Sequence, residues 1–90
     1  MGQTPLQGIK VIEMGTLIAG PFAARLMAEF GAEVIKIESP QGGDPLRQWR
    51  RLRNGTSLWW YVQARNKKSV TINLKKEAGQ EIIRQLVKNT

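Results

Sequence analysis

The stretch Ile9 to Glu38, IKVIEMGTLIAGPFAARLMAEFGAEVIKIE, constrains this chain more than any other, because its hydrophobic period changes twice within it. An apolar run, a glycine-bounded turn, an amphipathic segment, a glycine and a second apolar run follow one another, which is a β-α-β pattern. Ile9, Val11 and Ile12 are β-branched and crowd together as in a strand buried on both faces of a parallel sheet, and Glu13 and Met14 close the run. Gly15 and Gly20 bracket a turn of Thr16, Leu17, Ile18 and Ala19, whose few polar side chains leave the backbone amides as its main polar resource. Pro21 suits the first helical position, where its fixed φ helps and its missing N–H costs nothing. Phe22, Ala23, Leu26, Met27 and Phe30 fall on one face at helical spacing, with Arg25 and Glu29 outside that stripe. Gly31 suits the left-handed position just past a helix. Val34, Ile35 and Ile37 then form a strand, which a right-handed crossover lays parallel to the first. The turn before the helix is thereby set at the carboxyl end of the first strand, where open α/β sheets bind ligands and helix amides accept anions.

The remaining segments extend this unit. Residues 1 to 8 are a leader in which Pro5 and Gly8 mark a turn. After Glu38 comes SPQGGDPLRQW, a loop in which Asp44 before Pro45 is a turn-starting pair. Leu46, Trp49 and Leu52 are spaced for a short helical turn, and Asn54-Gly55 is a turn signal. Thr56 or Ser57 can cap a helix through Leu58, Trp59, Trp60, Tyr61 and Val62, with a strand as the competing assignment. Arg65 to Ser69 precede a short strand, Val70 to Ile72. Asn73 or Lys75 begins a turn into a helix from about Lys76 to Lys88, whose apolar face is Ile82, Ile83, Leu86 and Val87. An α/β sheet would next require another strand, so the chain reads as ending inside a domain. The predicted fold is α/β and Rossmann-like, with a partly parallel sheet and flanking helices, and residues 1–90 form the incomplete N-terminal part of a larger domain.

A chain of 90 residues buries roughly 60–65% of its unfolded surface, so stability standing alone is marginal. The isolated segment is expected to expose apolar surface and to self-associate. Apolar residues make up 41% and charged residues 23%, which argues against disorder. The absence of cysteine and histidine excludes a disulfide frame, a Cys/His zinc site, a cysteine nucleophile and any triad that uses histidine. No metal site is expected. No secretory signal is visible at the N-terminus, Leu6 occupies the place where a myristoylation signal wants Ser or Thr, and no apolar run approaches the ~20 residues of a membrane helix. An intracellular, reducing compartment is permitted, and the expected location is the cytoplasm. The net charge of +7 is uneven: residues 1–46 carry three basic and five acidic side chains, residues 47–90 eleven basic and two acidic. An anion would be drawn to the second half.

None of the candidate motifs is decisive on its own. The Gly15–Pro21 turn is neither a G-x-G-x-x-G fingerprint nor a P-loop, and a purely structural βα turn accounts for it. Arg65-Asn66-Lys67-Lys68 reads as a solvated charge run or as a phosphate clamp. Trp49, Trp59, Trp60 and Tyr61 can stack on a base, although aromatics of this kind more often pack beneath a loop. Glu13, Glu33, Glu38 and Asp44 are candidate acids or bases, yet no spacing pairs them, which favours surface or turn roles.

Five blocks of sequence carry a resemblance. They are Leu6-Gln7-Gly8-Ile9, Ile18-Ala19-Gly20-Pro21-Phe22-Ala23, Gly31-Ala32-Glu33-Val34-Ile35-Lys36-Ile37-Glu38, Gly43-Asp44 and Asn66-Lys67-Lys68-Ser69-Val70. In order and spacing they resemble the opening of the class III CoA-transferases, the CaiB/BaiF family, whose members are far longer. The resemblance implies a Rossmann-like domain with a smaller second domain, two chains interlocked as rings in a homodimer, and transfer of coenzyme A from an acyl-CoA to a carboxylate acceptor. It also implies an aspartate nucleophile that forms a mixed anhydride and then an aspartyl-CoA thioester. That aspartate lies downstream of the Asn-Lys-Lys-Ser block, so Asp44 is not it and no catalytic residue is expected in this chain.

Part of the coenzyme site carries over by resemblance. Ile18 and Ala19 match positions that touch CoA, and Ile72, Asn73, Leu74 and Lys75 match the segment lining its adenine and phosphate end. CoA or acyl-CoA is expected as substrate, with no tightly bound cofactor. Where some members have a nucleotide-contacting arginine after the Ile-Glu pair this chain has Ser39, so phosphate recognition is expected to lean on Lys75 and the Arg65–Lys68 cluster. Where some transferases have a glutamine in the first turn it has Ile18, which counts against formyl/oxalyl specificity. Acyl-CoA racemases and carnitine-type dehydratases of the same family are the nearest alternative. A small basic nucleic-acid-binding module is the alternative from another class, supported by the basic half with its tryptophans. The expectation is a protein that binds neither nucleic acid nor membrane.

Overall fold

The computed structural model describes residues 4–90, and the leader residues 1–3 lie outside the described part. A three-stranded parallel sheet is built from β1 (Lys10–Glu13), β2 (Glu33–Glu38) and a later strand at Lys67–Thr71, in spatial order with β2 in the centre. Lys10 pairs with Glu33 and Glu13 with Lys36 across the first pair, while Val34 meets Lys67 and Glu38 meets Thr71 across the second. Helix α1 (Ala19–Glu29) joins β1 to β2, so the β-α-β unit read from the sequence is present.

Its helix ends as the sequence predicts. Gly31 takes φ +106° and donates to Ala28 O at 3.1 Å, and Ala32 donates to Met27 O at 3.0 Å. Those two bonds are a Schellman closure. The start differs: the helix begins at Ala19, two residues before Pro21, which is tolerated because first-turn amides have no intrahelical partner. Gly15 and Gly20 touch across the turn, since a methyl built on Gly15 would lie 3.3 Å from Gly20 Cα.

The buried face of α1 is a correction. The stripe at helical spacing, Phe22, Ala23, Leu26 and Phe30, is exposed and Met27 half-buried, while Pro21, Ala24 and Ala28 are buried and the two alanines pack with Ala32 and Val34. Small side chains on the inner face let the helix pack directly against Val34 of the sheet. The larger residues are left on the far side, Phe30 at 52% exposure. Nor is β1 buried on both faces: it is an edge strand of this sheet, with Ile9 exposed and Val11 and Ile12 half-buried.

Asp44 caps a 3-10 turn, Pro45–Gln48, by accepting the Leu46 amide at 2.9 Å. Strands β3 (Leu52–Arg53) and β4 (Thr56–Ser57) then pair antiparallel around Asn54 and Gly55, both at positive φ (52° and 79°), as a two-residue hairpin requires. Of the two candidate caps, Ser57 serves α2 (Leu58–Gln63), accepting the Trp59 amide at 3.1 Å and donating to Trp49 O at 2.6 Å. The helical reading of the aromatic stretch therefore holds.

The strand expected at Val70–Ile72 is instead β5 (Lys67–Thr71). Pairing with β2 overrides the poor strand preference of the lysines, because Lys67 finds a buried carboxylate and Lys68 a surface one. Helix α3 (Glu77–Lys88) docks at Gly79, which is buried against the Asn73 backbone. In its predicted apolar face Ile83 and Leu86 are half-buried, but Ile82 and Val87 are exposed.

Candidate functional site

Because β1, β2 and β5 are parallel, the segments that follow them emerge at one end of the sheet. There the turn Met14–Thr16, the loop from Glu38 to Pro45 and the segment Ile72–Lys75 enclose a cleft of about 410 Å³. Its volume falls within the range of small-molecule sites, and its position is where parallel α/β sheets take their ligands.

Beneath the cleft lies a set of buried charges. Strand alternation points Glu13, Lys36 and Glu38 to the α1 side of the sheet. Lys36 Nζ contacts Glu13 Oε2 at 2.6 Å, Asp44 Oδ2 at 2.8 Å and the Gly15 carbonyl at 3.2 Å. Lys67 Nζ lies 2.6 Å from Glu13 Oε1 and donates to Pro21 O at 2.9 Å. Burial pushes the Lys67 ammonium below the ordinary lysine range despite the opposing pull of Glu13. A second group centres on Glu38, which accepts from Arg47 Nε at 2.8 Å and Nη2 at 2.6 Å, from the Asp44 amide at 2.8 Å and from Ser69 Oγ. The Arg47 guanidinium stacks on Trp60 at 3.9 Å from the ring centroid. Lys36, Lys67 and Arg47 balance Glu13, Glu38 and Asp44, so the cleft floor is locally neutral.

Burial by itself would raise the Glu38 carboxyl, but the bonds from Arg47, Ser69 and the Asp44 amide outweigh it and hold the group down at about 2. A depressed carboxylate contributes stability that is present above its unfolded value, near ~4.3, and lost as pH falls through the folded value. The unfolding free energy is therefore expected to decline as pH is lowered from ~4.5 to ~2, and the decline should shrink in Glu38→Gln. Urea unfolding across that window checks this; an identical decline in the variant would count against Glu38.

Of the six residues expected to bind coenzyme, Ile72, Asn73, Leu74 and Lys75 line the cleft. Ile72 is buried, Asn73 half-buried with Oδ1 accepting the Lys75 amide at 3.0 Å, and Leu74 and Lys75 exposed. Ile18 and Ala19 are exposed at the N-terminus of α1, beyond the lining residues Met14–Thr16, and among the described residues no side chain caps that helix end. Ser39 also lines the cleft.

No residue of the Arg65–Lys68 cluster lines the cleft, and only Lys67 reaches the charges beneath it. The cluster opens β5 at the amino end of the sheet, with Lys67 held by Glu13, Lys68 by Glu33 at 2.6 Å, and Arg65 3.9 Å from Glu29. The aromatics do not line it either: Trp49 and Trp59 pack on each other at 6.1 Å between centroids. Three of the four carboxylates expected in surface or turn roles, Glu13, Glu38 and Asp44, are buried. Their clustering was missed because the partners Lys36, Lys67 and Arg47 lie 8 or more positions away in the chain; the one local signal was Lys36 inside the apolar run Val34–Ile37. Among the described residues no group of His, Cys, Asp and Glu is arranged to hold a metal ion, and no helix is long and apolar enough to cross a membrane.

A parallel sheet with its first crossover helix and a cleft over the strand ends defines a Rossmann-like α/β protein. The chain belongs to CoA-transferase family III, which it matches over residues 6–90. It is 54% identical over 84 residues to a succinyl-CoA–D-citramalate CoA-transferase of Chloroflexus aurantiacus, covering 92% of this chain and 21% of that protein. Against a human succinyl-CoA:glutarate CoA-transferase it is 42% identical over 83 residues, covering 91% and 19%. A solved CaiB/BaiF family protein from Brucella suis superposes with TM-score 0.85 at 36% identity, over 96% of this chain and 24% of that one. The chain thus spans about a fifth of the length of the curated relatives it matches, at 21% and 19% in these two cases.

Proposed function

We propose that this chain forms the coenzyme A corner of an enzyme that transfers coenzyme A from an acyl-CoA to a carboxylic acid. The observation that carries the reading is the cleft over the carboxyl ends of β1, β2 and β5, walled by the Ile72–Lys75 segment, in a chain of CoA-transferase family III. Ile72 and Leu74 offer apolar surface to the adenine, Asn73 a polar edge, and Lys75 an exposed cation for phosphate. Ile18 and Ala19, at the uncapped start of α1, meet another part of the same ligand. Lys75 bears the phosphate charge because the cations nearer the floor are already committed to carboxylates.

The covalent chemistry lies outside these residues. Asp44 is fully engaged by Lys36 and by the Leu17 and Leu46 amides and is buried, so its oxygens are not presented to a thioester. The chain's part is to bind and orient the coenzyme while a carboxylate elsewhere attacks. Succinyl-CoA is the donor in the names of the relatives, and we extend a dicarboxylic donor and a carboxylate acceptor to this protein. The exposed Phe22, Leu26, Phe30 and Val87 support a place within a larger assembly, for which an interlocked homodimer is our reading. CoA thioesters are intracellular metabolites, which is why we assign the protein to acyl-CoA metabolism in the cytoplasm.

Calorimetric titration of the chain with coenzyme A at two salt concentrations tests this. Saturable binding is expected, weakened roughly fivefold by Lys75→Ala through loss of an exposed charge contact. A short single-stranded DNA should bind far less well. A chain that is folded by circular dichroism yet shows no saturable CoA binding would overturn the reading.

A further inference from the structure

We infer that Asp44, held by Lys36, is a positioning residue that locks the first βα turn in the conformation offering Ile18 and Ala19 to the coenzyme; the ligand in this inference rests on the coenzyme reading above. The starting observation is Leu17, a non-glycine residue at φ +64°. An L-residue there brings its Cβ against the following carbonyl oxygen, so something outside the turn must hold it. Nothing local does so, because Thr16, Leu17 and Ile18 have no preference for positive φ.

The restraint comes from 27 residues away. The Leu17 amide donates to Asp44 Oδ1 at 3.1 Å and Oδ2 at 3.3 Å. Asp44 is in turn fixed by Lys36 Nζ at 2.8 Å, by the Leu46 amide at 2.9 Å and through its own amide by Glu38 at 2.8 Å. Lys36 also holds the other end of the turn through the Gly15 carbonyl at 3.2 Å. One buried ion pair thus ties Gly15 and Leu17 of the turn to the Gly43–Pro45 loop, and two walls of the cleft become a single unit. Asp44 is 3% exposed, so it acts through Leu17 and not on the ligand.

The conservative variant Asp44→Asn keeps the shape and breaks this arrangement. A carboxylate offers acceptors on both oxygens, and its donors here are Lys36, Leu17 and Leu46. An amide presents an NH₂ on one side, set against either the Lys36 ammonium or the Leu17 N–H. The turn then loses its restraint while Ile72–Lys75 stay in place.

The experiment compares the 90-residue chain with Asp44→Asn and Asp44→Asn/Leu17→Gly, measuring amide hydrogen exchange by NMR and CoA affinity by titration. In the unsubstituted chain the Leu17 amide should be protected from exchange. Asp44→Asn should lower that protection and weaken CoA binding by about tenfold, the scale of one hydrogen bond to a charged group. Adding Leu17→Gly should recover most of the affinity, because glycine takes positive φ unaided. A merely destabilising role of Asp44 would give no such rescue. CoA affinity unchanged in Asp44→Asn while Leu17 exchanges freely would overturn the inference, as would a Leu17 amide unprotected in the unsubstituted chain. If Asp44→Asn fails to fold, scalar coupling between the Leu17 nitrogen and the Asp44 carboxylate carbon decides it in the unsubstituted chain: a measurable coupling supports the lock and its absence overturns it. Protection of Leu17 in a folded chain that binds no CoA would support the lock and overturn the coenzyme reading instead.

Discussion

Lys36→Met is expected to destabilise the chain by about 3–5 kcal/mol, the usual loss when one partner of a buried ion pair is removed. Lys36 has a side-chain exposure of 2% and contacts two carboxylates that are themselves buried. Methionine fills much of the space but leaves Asp44 without its ammonium and Glu13 dependent on Lys67 alone. A chain that is part of a larger domain is only marginally stable on its own, so the variant should be largely unfolded in mild urea. Lys68→Met is the control. Lys68 is also a strand lysine paired at 2.6 Å with a glutamate, but its side chain is 69% exposed, and solvent-screened pairs contribute about 0–1 kcal/mol. Urea unfolding at low micromolar concentration should separate the two by at least ~2 kcal/mol. Equal losses would mean that the Lys36 cluster contributes no more than a surface pair.

Gly43→Ala should cost about 3 kcal/mol or more, for two reasons that a second glycine separates. Gly43 has φ +77°, where an L-residue is disfavoured by about 1–2 kcal/mol. A methyl there would also overlap the Glu38 carboxylate and sit 2.9 Å from Arg47 Nε, pushing apart a buried, hydrogen-bonded ion pair. Gly42, its neighbour, has φ +93° but, among the described residues, nothing within 4 Å of a built Cβ, so Gly42→Ala carries the conformational cost alone. The difference between the variants in urea unfolding isolates the contact with Glu38. If both lose the same amount, the Glu38–Arg47 pair yields to the methyl and the glycine is there for its backbone only. On the coenzyme reading proposed above, the same substitution should also weaken CoA binding, because Gly43 lines the cleft.

These two expectations concern residues whose importance the sequence understates. A lysine within a strand and a glycine within a Gly-Gly loop both look like surface features when read locally. What makes them sensitive is the arrival of Glu13, Glu38, Asp44 and Arg47 from separate parts of the chain at one end of the sheet. The cleft is similar: Ile72–Lys75 were legible as a candidate wall by resemblance, whereas the wall formed by Ser39, Gly43 and Asp44 depends on how the loop folds back over β2.

Local physics settles the other parts of the chain. The β-branched runs, the glycine after α1 and the Asn-Gly pair specify two parallel strands, a helix stop and a tight turn because each rests on backbone preferences expressed within a few residues. That was enough to determine the β-α-β core and the end of the sheet at which the cleft opens. Tertiary structure alone decided which face of α1 is buried, since alanines permit the close approach that Phe22 and Phe30 would block. It also decided that Lys67 and Lys68, adjacent in the chain and alternating across a strand, meet one buried and one exposed carboxylate. Burial and ion pairing depend on which segments converge in space, and the desolvation that sets their energies has no counterpart in the order of residues along the chain.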